Sequence, residues 1–290
     1  MDKTLIIIVN YNNHIDTLEC IDSIKKYENT NNYDIYLIDN SQESYTQYAD
    51  LVSYYHIVKN NGYSDAVNYG IRAAQLFKYK FTLLLNNDTN LKSAILDDLI
   101  ETFSINNKII AVSPKIIKKW KNELVLHYAG GFLKTLINGL MPRGDFTQNL
   151  NDFSYIEKVD WVSGACMLIK TSAFKKIGIF DSSYFLYYED VDWSVRAQKL
   201  GYLNYYNGNV NIFHKQSRST AYVKSFYKWD SHFLFLLKYF PKIIIPSLKK
   251  IIITSTHYYF KTNNKKELFT QIKWLIKFLV FLPKRLVLYT

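Results

Sequence analysis

The stretch LIIIVNYNN (residues 5–13) sets the reading of the fold. Its first five residues form a continuous apolar run, the pattern of a strand buried on both faces in a parallel sheet covered by helices. Asn10, Tyr11 and Asn12 then release the chain in polar residues. The pattern recurs downstream. A helical stretch is predicted over about 15–27, a strand over IYLID (35–39), a short strand near 56–58 and a helix over about 64–77. FTLLL (81–85) reads as a fourth strand, followed by a helix over about 93–105. Strand and helix in alternation predict βαβ units, hence an α/β fold with a mainly parallel sheet flanked by helices.

In such sheets ligands bind outside the carboxyl ends of the strands. Polar residues stand at those ends: Asn10 and Asn12 after the first strand, and Asp39, Asn40 and Ser41 after the second. Asn86, Asn87, Asp88 and Thr89 follow the fourth, and Asn60, Asn61 and Gly62 open the helix that begins near Ser64. One such residue is an ordinary turn or helix cap; several strand ends releasing polar groups toward one edge mark a cleft. No GxGxxG follows the first strand and no GxxxxGK[ST] occurs, which excludes a dinucleotide fingerprint and a Walker loop. The cleft suits a nucleotide held by side chains and a metal.

Composition narrows the class further. With 290 residues, 48% of them hydrophobic, the chain has material for one large or two small cores. Eighteen Phe and 25 Tyr exclude a disordered chain, and ten Gly with five Pro exclude a collagen-like or linker composition. The two cysteines, Cys20 and Cys166, supply neither a disulfide framework nor a thiolate zinc site, so a reducing compartment is expected. The first apolar run is too short for a signal peptide.

The net charge of +11 is unevenly placed. From Lys215 onward there are 15 Lys or Arg against two acids, Asp230 and Glu267, whereas residues 1–214 carry a net −2. The basic part interleaves Lys with aromatic and aliphatic residues, as in HFLFLLKYFPKIIIPSLKKIII and IKWLIKFLVFLPKRLVLY. No stretch reaches the roughly 18 uncharged apolar residues of a spanning helix. The expected organisation is a catalytic domain over 1–220 and a basic amphipathic helical extension over 221–290, suited to an anionic membrane surface. The alternative is a set of helices that pack on the main domain and expose their Lys faces. The segment is too aliphatic for a phosphate-tracking groove and carries no nucleic-acid motif, so nucleic acid is not an expected partner.

The second half carries the chemistry. WVSGACMLIKTSAF (161–174) reads as a loop, a strand and a short helix capped by Thr171 or Ser172 and closed by Gly178. In FLYYEDVDWSVRAQKLGY (185–202), Glu189 and Asp190 stand where a helix begins, a placement the macrodipole favours. Asp192 and Arg196 are four apart and read as a structural pair on one helical face, and Gly201 supplies the stop. One of these carboxylates is the candidate general base for an acceptor hydroxyl. NVNIFH reads as a strand ending at His214, which this fold can bring beside Asp88. A hard cation, Mn²⁺ or Mg²⁺, would there take the Asp88 carboxylate, diphosphate oxygens and one imidazole. His14, His56 and His127 have no carboxylate neighbour in sequence and read as structural.

Seven segments in order, VNYN (9–12), IDNSQ (38–42), NNGYSDAVNYG (60–70), LLLNNDT (83–89), WVSGACMLIK (161–170), FDSSYFLYYEDVDWSVRAQKLGY (180–202) and FHKQSRST (213–220), resemble the family 2 glycosyltransferases of the GT-A fold. Within them the chain is most similar to the rhamnosyltransferase-like group of bacterial surface-polysaccharide enzymes. The resemblance implies that Asp39 contacts the nucleobase and that residues 61–68 line the nucleotide pocket, giving a nucleotide-binding set of Asn10, Asn12, Asp39, Asn61, Gly62, Asn68 and Asn87. It makes Asp88 the metal-binding member of the family's DxD and places His214 at the metal or the diphosphate. Asp190 takes the position of the catalytic base, with Glu189 beside it near the acceptor. Trp161, Ser163 and Gly164 would face sugar or acceptor. The DxD here reads Asn86-Asn87-Asp88, an amide in place of the first carboxylate, a substitution familiar in the rhamnosyltransferase-like group.

The resemblance further implies an inverting transferase that moves L-rhamnose from dTDP-rhamnose to a polyprenyl-diphosphate-linked glycan in O-antigen or capsule synthesis. Such an enzyme would sit peripherally at the cytoplasmic face of the bacterial inner membrane. The alternatives are a UDP- or GDP-hexose donor, or a non-catalytic module that binds sugar nucleotide or lipid.

Overall fold

The computed structural model describes residues 3–133, 143, 147–215, 221–245 and 253. β1 (Thr4–Asn10) is buried along its whole length, as its unbroken apolar run requires. It pairs in parallel with β2 (Tyr33–Asp39) on one side and β4 (Phe81–Asn86) on the other, and β3 (Tyr54–Ile57) continues outward from β2. The register sets Asn10 opposite Asp39 and Val9 opposite Asn86, so the three strands end level. α1 (His14–Tyr27) and α2 (Tyr63–Leu76) connect them. α1 buries Cys20, Ile21 and Ile24, and α2 buries Ala66, Val67, Ile71 and Ala74, each a stripe at helical spacing.

Beyond β4 the chain adds β5 (Thr89–Asn90), α3 (Leu96–Glu101), β6 (Ile109–Trp120), β7 (Glu123–Tyr128) and β8 (Ile156–Val159). It continues with β9 (Cys166–Lys170), α4 (Ala173–Ile177), α5 (Glu189–Lys199), β10 (Leu203–His214) and α6 (Ala221–Tyr239). The sheet runs β3-β2-β1-β4-β9-β6-β10-β5, with β7 on β6 and β8 on β10. It is parallel where strand and helix alternate and mixed afterwards, because β9 lies antiparallel to both β4 and β6. β6 and β7 form a hairpin whose two turn residues, Lys121 and Asn122, both have positive φ (48° and 68°), the handedness that matches strand twist.

Two expectations need correction. The helix expected from Ser93 begins at Leu96, because Glu28 Oε1 accepts the amides of Ile95 (2.6 Å) and Leu96 (3.2 Å) and so fixes the start from α1's end. The boundary expected at 220 precedes a helix that belongs to the main body. Ser231, His232 and residues 233–237 of α6 are buried. This part of the basic segment packs on the domain, and the rest of it, apart from residues 240–245 and 253, lies outside the described residues. Among the described residues no helix is long and apolar enough to cross a membrane.

The Glu28 cap can be checked directly. Glu28→Ala removes both contacts, and urea unfolding should show a loss of about 1–2 kcal/mol, the upper range for a helix cap.

Candidate active site

The sheet grows from β1 in both directions, toward β2 on one side and β4 on the other, so the carboxyl end of β1 is a topological switch point. Asp39 closes β2 there and is fully buried. Its Oδ1 accepts the Asn10 side-chain amide at 3.0 Å and the Ser41 backbone amide at 3.1 Å. Its Oδ2 accepts the Tyr55 hydroxyl at 3.1 Å and the Tyr45 amide at 3.4 Å. Asn10 Oδ1 accepts the Thr17 hydroxyl at 3.0 Å, and Asn87 Nδ2 donates to that hydroxyl at 2.9 Å and to Asn10 Oδ1 at 3.4 Å. Asn10, Asp39 and Asn87 are thus one network. Exposed Asn12, at φ 51°, staples the neighbouring loop: its amide donates to Ser41 Oγ and its side chain accepts from the Gln42 amide.

α2 borders this pocket. Asn61 is exposed and donates to Asp65 at 3.3 Å. Gly62 has φ 107°, and a Cβ there would lie 2.5 Å from the Phe185 carbonyl oxygen, so only glycine fits. Asn68 departs from the expectation of a nucleotide contact. It is fully buried, its Oδ1 accepts the Phe180 amide (3.0 Å) and its Nδ2 donates to the Phe180 carbonyl (2.9 Å). With the Ser64 hydroxyl on the Tyr184 carbonyl (2.6 Å) and the Tyr63 amide on the Phe185 carbonyl (2.7 Å), it clamps the segment that leads to the acidic motif.

The antiparallel pairing of β5 with β10 sets Thr89 opposite His214. His214 Nε2 therefore lies 2.9 Å from Asp88 Oδ1 and 3.5 Å from Asn86 Nδ2. The juxtaposition expected from sequence is realised. The buried Nδ1 of His214 has no hydrogen-bond partner among the described residues. His127, which sequence left as structural, packs its ring 5.6 Å from that of His214, and its Nδ1 is 3.2 Å from Lys118 Nζ. No group of three or more His, Cys, Asp or Glu side chains among the described residues forms a complete metal cage. The donor set of Asp88 and His214 fits a hard divalent ion that takes its remaining ligands from water and substrate phosphate.

α5 opens with Glu189 and Asp190. Asp190 Oδ2 accepts the Gly164 amide at 2.7 Å and Oδ1 accepts the Val191 amide at 2.8 Å. Burial raises the Asp190 carboxyl above its usual range while these amides oppose the shift. Glu189 is buried, its Oε2 has no partner among the described residues, and burial followed by the charge of Asp190 pushes its carboxyl well up. Both carboxyls of the pair are thus shifted upward, Glu189 with the added repulsion of its neighbour. Asp192 is fully buried and structural, as sequence suggested: it accepts Arg196 Nε at 2.8 Å and Lys238 Nζ at 2.6 Å.

The turn that supplies Gly164 also carries Ser163, whose hydroxyl accepts the Ala165 amide. Trp161 lies against Gly131, at which a Cβ would stand 1.9 Å from its ring, and its carbonyl accepts the Tyr128 hydroxyl at 2.8 Å. The buried Trp161 Nε1 has no partner among the described residues. Tyr63, which sequence did not single out, joins the parts. Its hydroxyl donates to Asn86 Oδ1 at 3.3 Å, and it is raised well above the usual phenol range by burial and then by Glu189, Asp190 and Asp88. Tyr187, pushed up to about 12 by burial, feels Glu189 and Asp88 as well.

Comparison with known proteins fits this geometry. The description "Glycosyl transferase family 2" matches residues 5–178. The chain belongs to this family. It is similar to the N-acetylglucosaminyl-diphospho-decaprenol L-rhamnosyltransferase of Mycobacterium tuberculosis, 44% identical over 63 residues, 22% of this chain and 20% of that protein. It is 27% identical over 205 residues to the low-salt glycan biosynthesis hexosyltransferase Agl10 of Haloferax volcanii, covering 69% of this chain and 62% of that one. A 56-residue match at 39% identity relates it to rhamnosyltransferase WbbL of Escherichia coli, 19% of this chain and 20% of that protein. The chain thus spans between a fifth and about three fifths of these relatives. A crystal structure of GalNAc-T7 with UDP, GalNAc and Mn²⁺ superposes with a TM-score of 0.57 at 14% identity, over 81% of this chain and 50% of that one, which establishes the GT-A fold.

The acidic pair makes stability depend on pH. A carboxyl whose folded-state value is raised binds its proton more tightly folded than unfolded, so stability falls as pH rises above the unfolded value, near 4.5 for Glu189. Glu189→Gln should therefore raise the melting temperature at pH 7, by about 2–4 °C per kcal/mol of relieved burial, and leave it unchanged below about pH 4.

Proposed function

We propose that this family 2 chain is an inverting glycosyltransferase that moves L-rhamnose from dTDP-rhamnose to a polyprenyl-diphosphate-linked glycan in the synthesis of a cell-surface polysaccharide. The observation that carries the catalytic reading is the Asp190 carboxylate, held at the start of α5 by the amides of Gly164 and Val191. Asp190 takes the proton of the acceptor hydroxyl while that oxygen bonds to the anomeric carbon, and the bond from that carbon to the diphosphate oxygen breaks. A raised carboxyl is a stronger base than a free one, which suits this role near neutral pH. The donor's nucleoside end would lie over the Asn10–Asp39–Asn87 network and its diphosphate beside Asp88 and His214. A divalent cation, when bound there, would supply electrophilic stabilisation to the leaving diphosphate. Mn²⁺ and Mg²⁺ both suit these ligands.

The similarity to a decaprenol-linked rhamnosyltransferase supports a lipid-carried acceptor. The basic character beyond Lys215 supports a peripheral place at the cytoplasmic face of the inner membrane. A UDP- or GDP-hexose donor is the second reading, favoured by the longer match to a hexosyltransferase.

Binding and hydrolysis across dTDP-, UDP- and GDP-sugars, with and without Mn²⁺ or Mg²⁺, tests the proposal. One donor bound in a metal-dependent way names the sugar; no binding under any condition removes the catalytic reading. Asp190→Asn should bind the donor as the parent does and lose about 10²- to 10⁴-fold in turnover; near-native turnover would move the base to Glu189. The full-length protein should sediment with anionic liposomes at low salt and be released at high salt.

A further inference from the structure

The two residues immediately before the acidic pair, Tyr187 (φ 71°) and Tyr188 (φ 70°), are both left-handed. Neither is glycine, and two such bulky residues in succession persist only where the surroundings hold them. The surroundings here come largely from α6. Tyr227 stacks on Phe185 with ring centroids 4.5 Å apart and planes at 15°. The Ser231 hydroxyl donates to the Leu186 carbonyl at 2.8 Å. The Tyr188 hydroxyl and His232 Nδ1 are 2.7 Å apart, both residues buried. Residues 185, 186 and 188 are thus each gripped by a different α6 side chain. The far end of the helix is fixed as well: Lys238 Nζ donates to Asp181 (3.0 Å) and Asp192 (2.6 Å), and the Tyr239 hydroxyl donates to Asp192 (2.8 Å). α6 therefore brackets the acidic motif on both sides.

We propose that α6 is a positioning element of the active site: through Tyr227, Ser231 and His232 it holds residues 185–188 in the left-handed turn that delivers the Asp190 carboxylate to the acceptor hydroxyl. The proposal rests on the reading of Asp190 as the base. His232 is suited to the task chemically. Burial, and then the charge of Lys228, lower its imidazole to about 4, so it is neutral near pH 7 and pairs with the Tyr188 hydroxyl as an uncharged ring. These are positioning residues, since they reach the reacting atoms through the turn and not by contact.

Tyr188→Phe, Ser231→Ala, His232→Ala and His232→Asn, with Asp190→Asn as control, separate this role from simple packing. Donor dissociation constant, KM and kcat for transfer, and melting temperature are measured for each. Tyr188→Phe and His232→Ala should stay folded at the assay temperature and bind the donor as the parent does, yet lose between about 10- and 100-fold in kcat, the scale of a misplaced catalytic group. Combined, they should lose no more than either alone, because they break one contact. His232→Asn, which keeps an acceptor near the Nδ1 position, should recover most of the loss. Ser231→Ala, the mildest change, should lower kcat in the same sense. Parental kcat in folded Tyr188→Phe and Ser231→Ala, or losses confined to donor binding, would overturn the proposal while an inactive Asp190→Asn kept the base in place. Near-native turnover of Asp190→Asn would instead overturn the base assignment, and with it the target of the positioning.

Discussion

β1 is hydrogen-bonded on both edges and buried on both faces, and the location of the site follows from that confinement. Parallel pairing forces β1, β2 and β4 to point their carboxyl ends the same way, and the register brings Asn10, Asp39 and Asn86 to one level. Because β2 and β4 lie on opposite sides of β1, the chain leaves their carboxyl ends in opposite directions and the end of β1 opens as a cleft. A slip of one residue would turn the apolar set of a strand to the wrong face, so the register is fixed by the core and not by the polar residues beyond it. The cleft is in this sense imposed by backbone geometry. The side chains at its rim only decide what it can hold.

Those side chains ration negative charge. The strand ends carry amides at Asn10, Asn12, Asn86 and Asn87 where carboxylates would repel a diphosphate. The acids that remain are each matched to partners. Asp39 accepts from two backbone amides, a side-chain amide and a phenol, Asp88 meets His214, and Asp190 accepts the amides of Gly164 and Val191. An amide at position 86 keeps an oxygen there and removes a charge. Asp88 and His214 alone would leave a divalent cation most of its shell to fill, so under the proposed function metal affinity and diphosphate binding would be linked, each strengthening the other.

What could be read from the sequence follows the same division. The strands of the first hundred residues were legible because strands buried on both faces need continuous apolar runs, and the acidic motif was legible because its charges collect at a helix start. Even the meeting of Asp88 with His214, 126 residues apart, was accessible from a strand ending at the site edge. The failures are tertiary. Asn68 has the residue type of a ligand contact, but its amide is consumed by the Phe180 backbone, and no local pattern announces that. The start of α3 is set by Glu28, 67 residues earlier. The β6–β7 hairpin turns on Lys121-Asn122, without the glycine that usually marks such a turn, so His127 was not seen to face His214.

α6 shows why composition misleads where charge is mixed with aromatic residues. Lys beside Phe, Leu and Tyr reads equally well as a membrane-surface face or as a packed helix. The difference lies in whether carboxylates elsewhere in the fold are waiting for the cations, and here they are. Asp192 lies fully buried between Arg196 and Lys238, while Asp181 meets Lys238 at 3.0 Å. Such a buried ionic cluster contributes little net stability over apolar packing, because taking the charges out of water offsets most of their attraction. Its effect is on alignment. A slide of α6 by one helical turn would carry Lys238 about 5.4 Å along the axis and leave a carboxylate unpaired in the core. The same slide would take His232 from Tyr188 and Ser231 from Leu186. One buried aspartate therefore fixes the register of α6 against the start of α5, where the acidic pair stands.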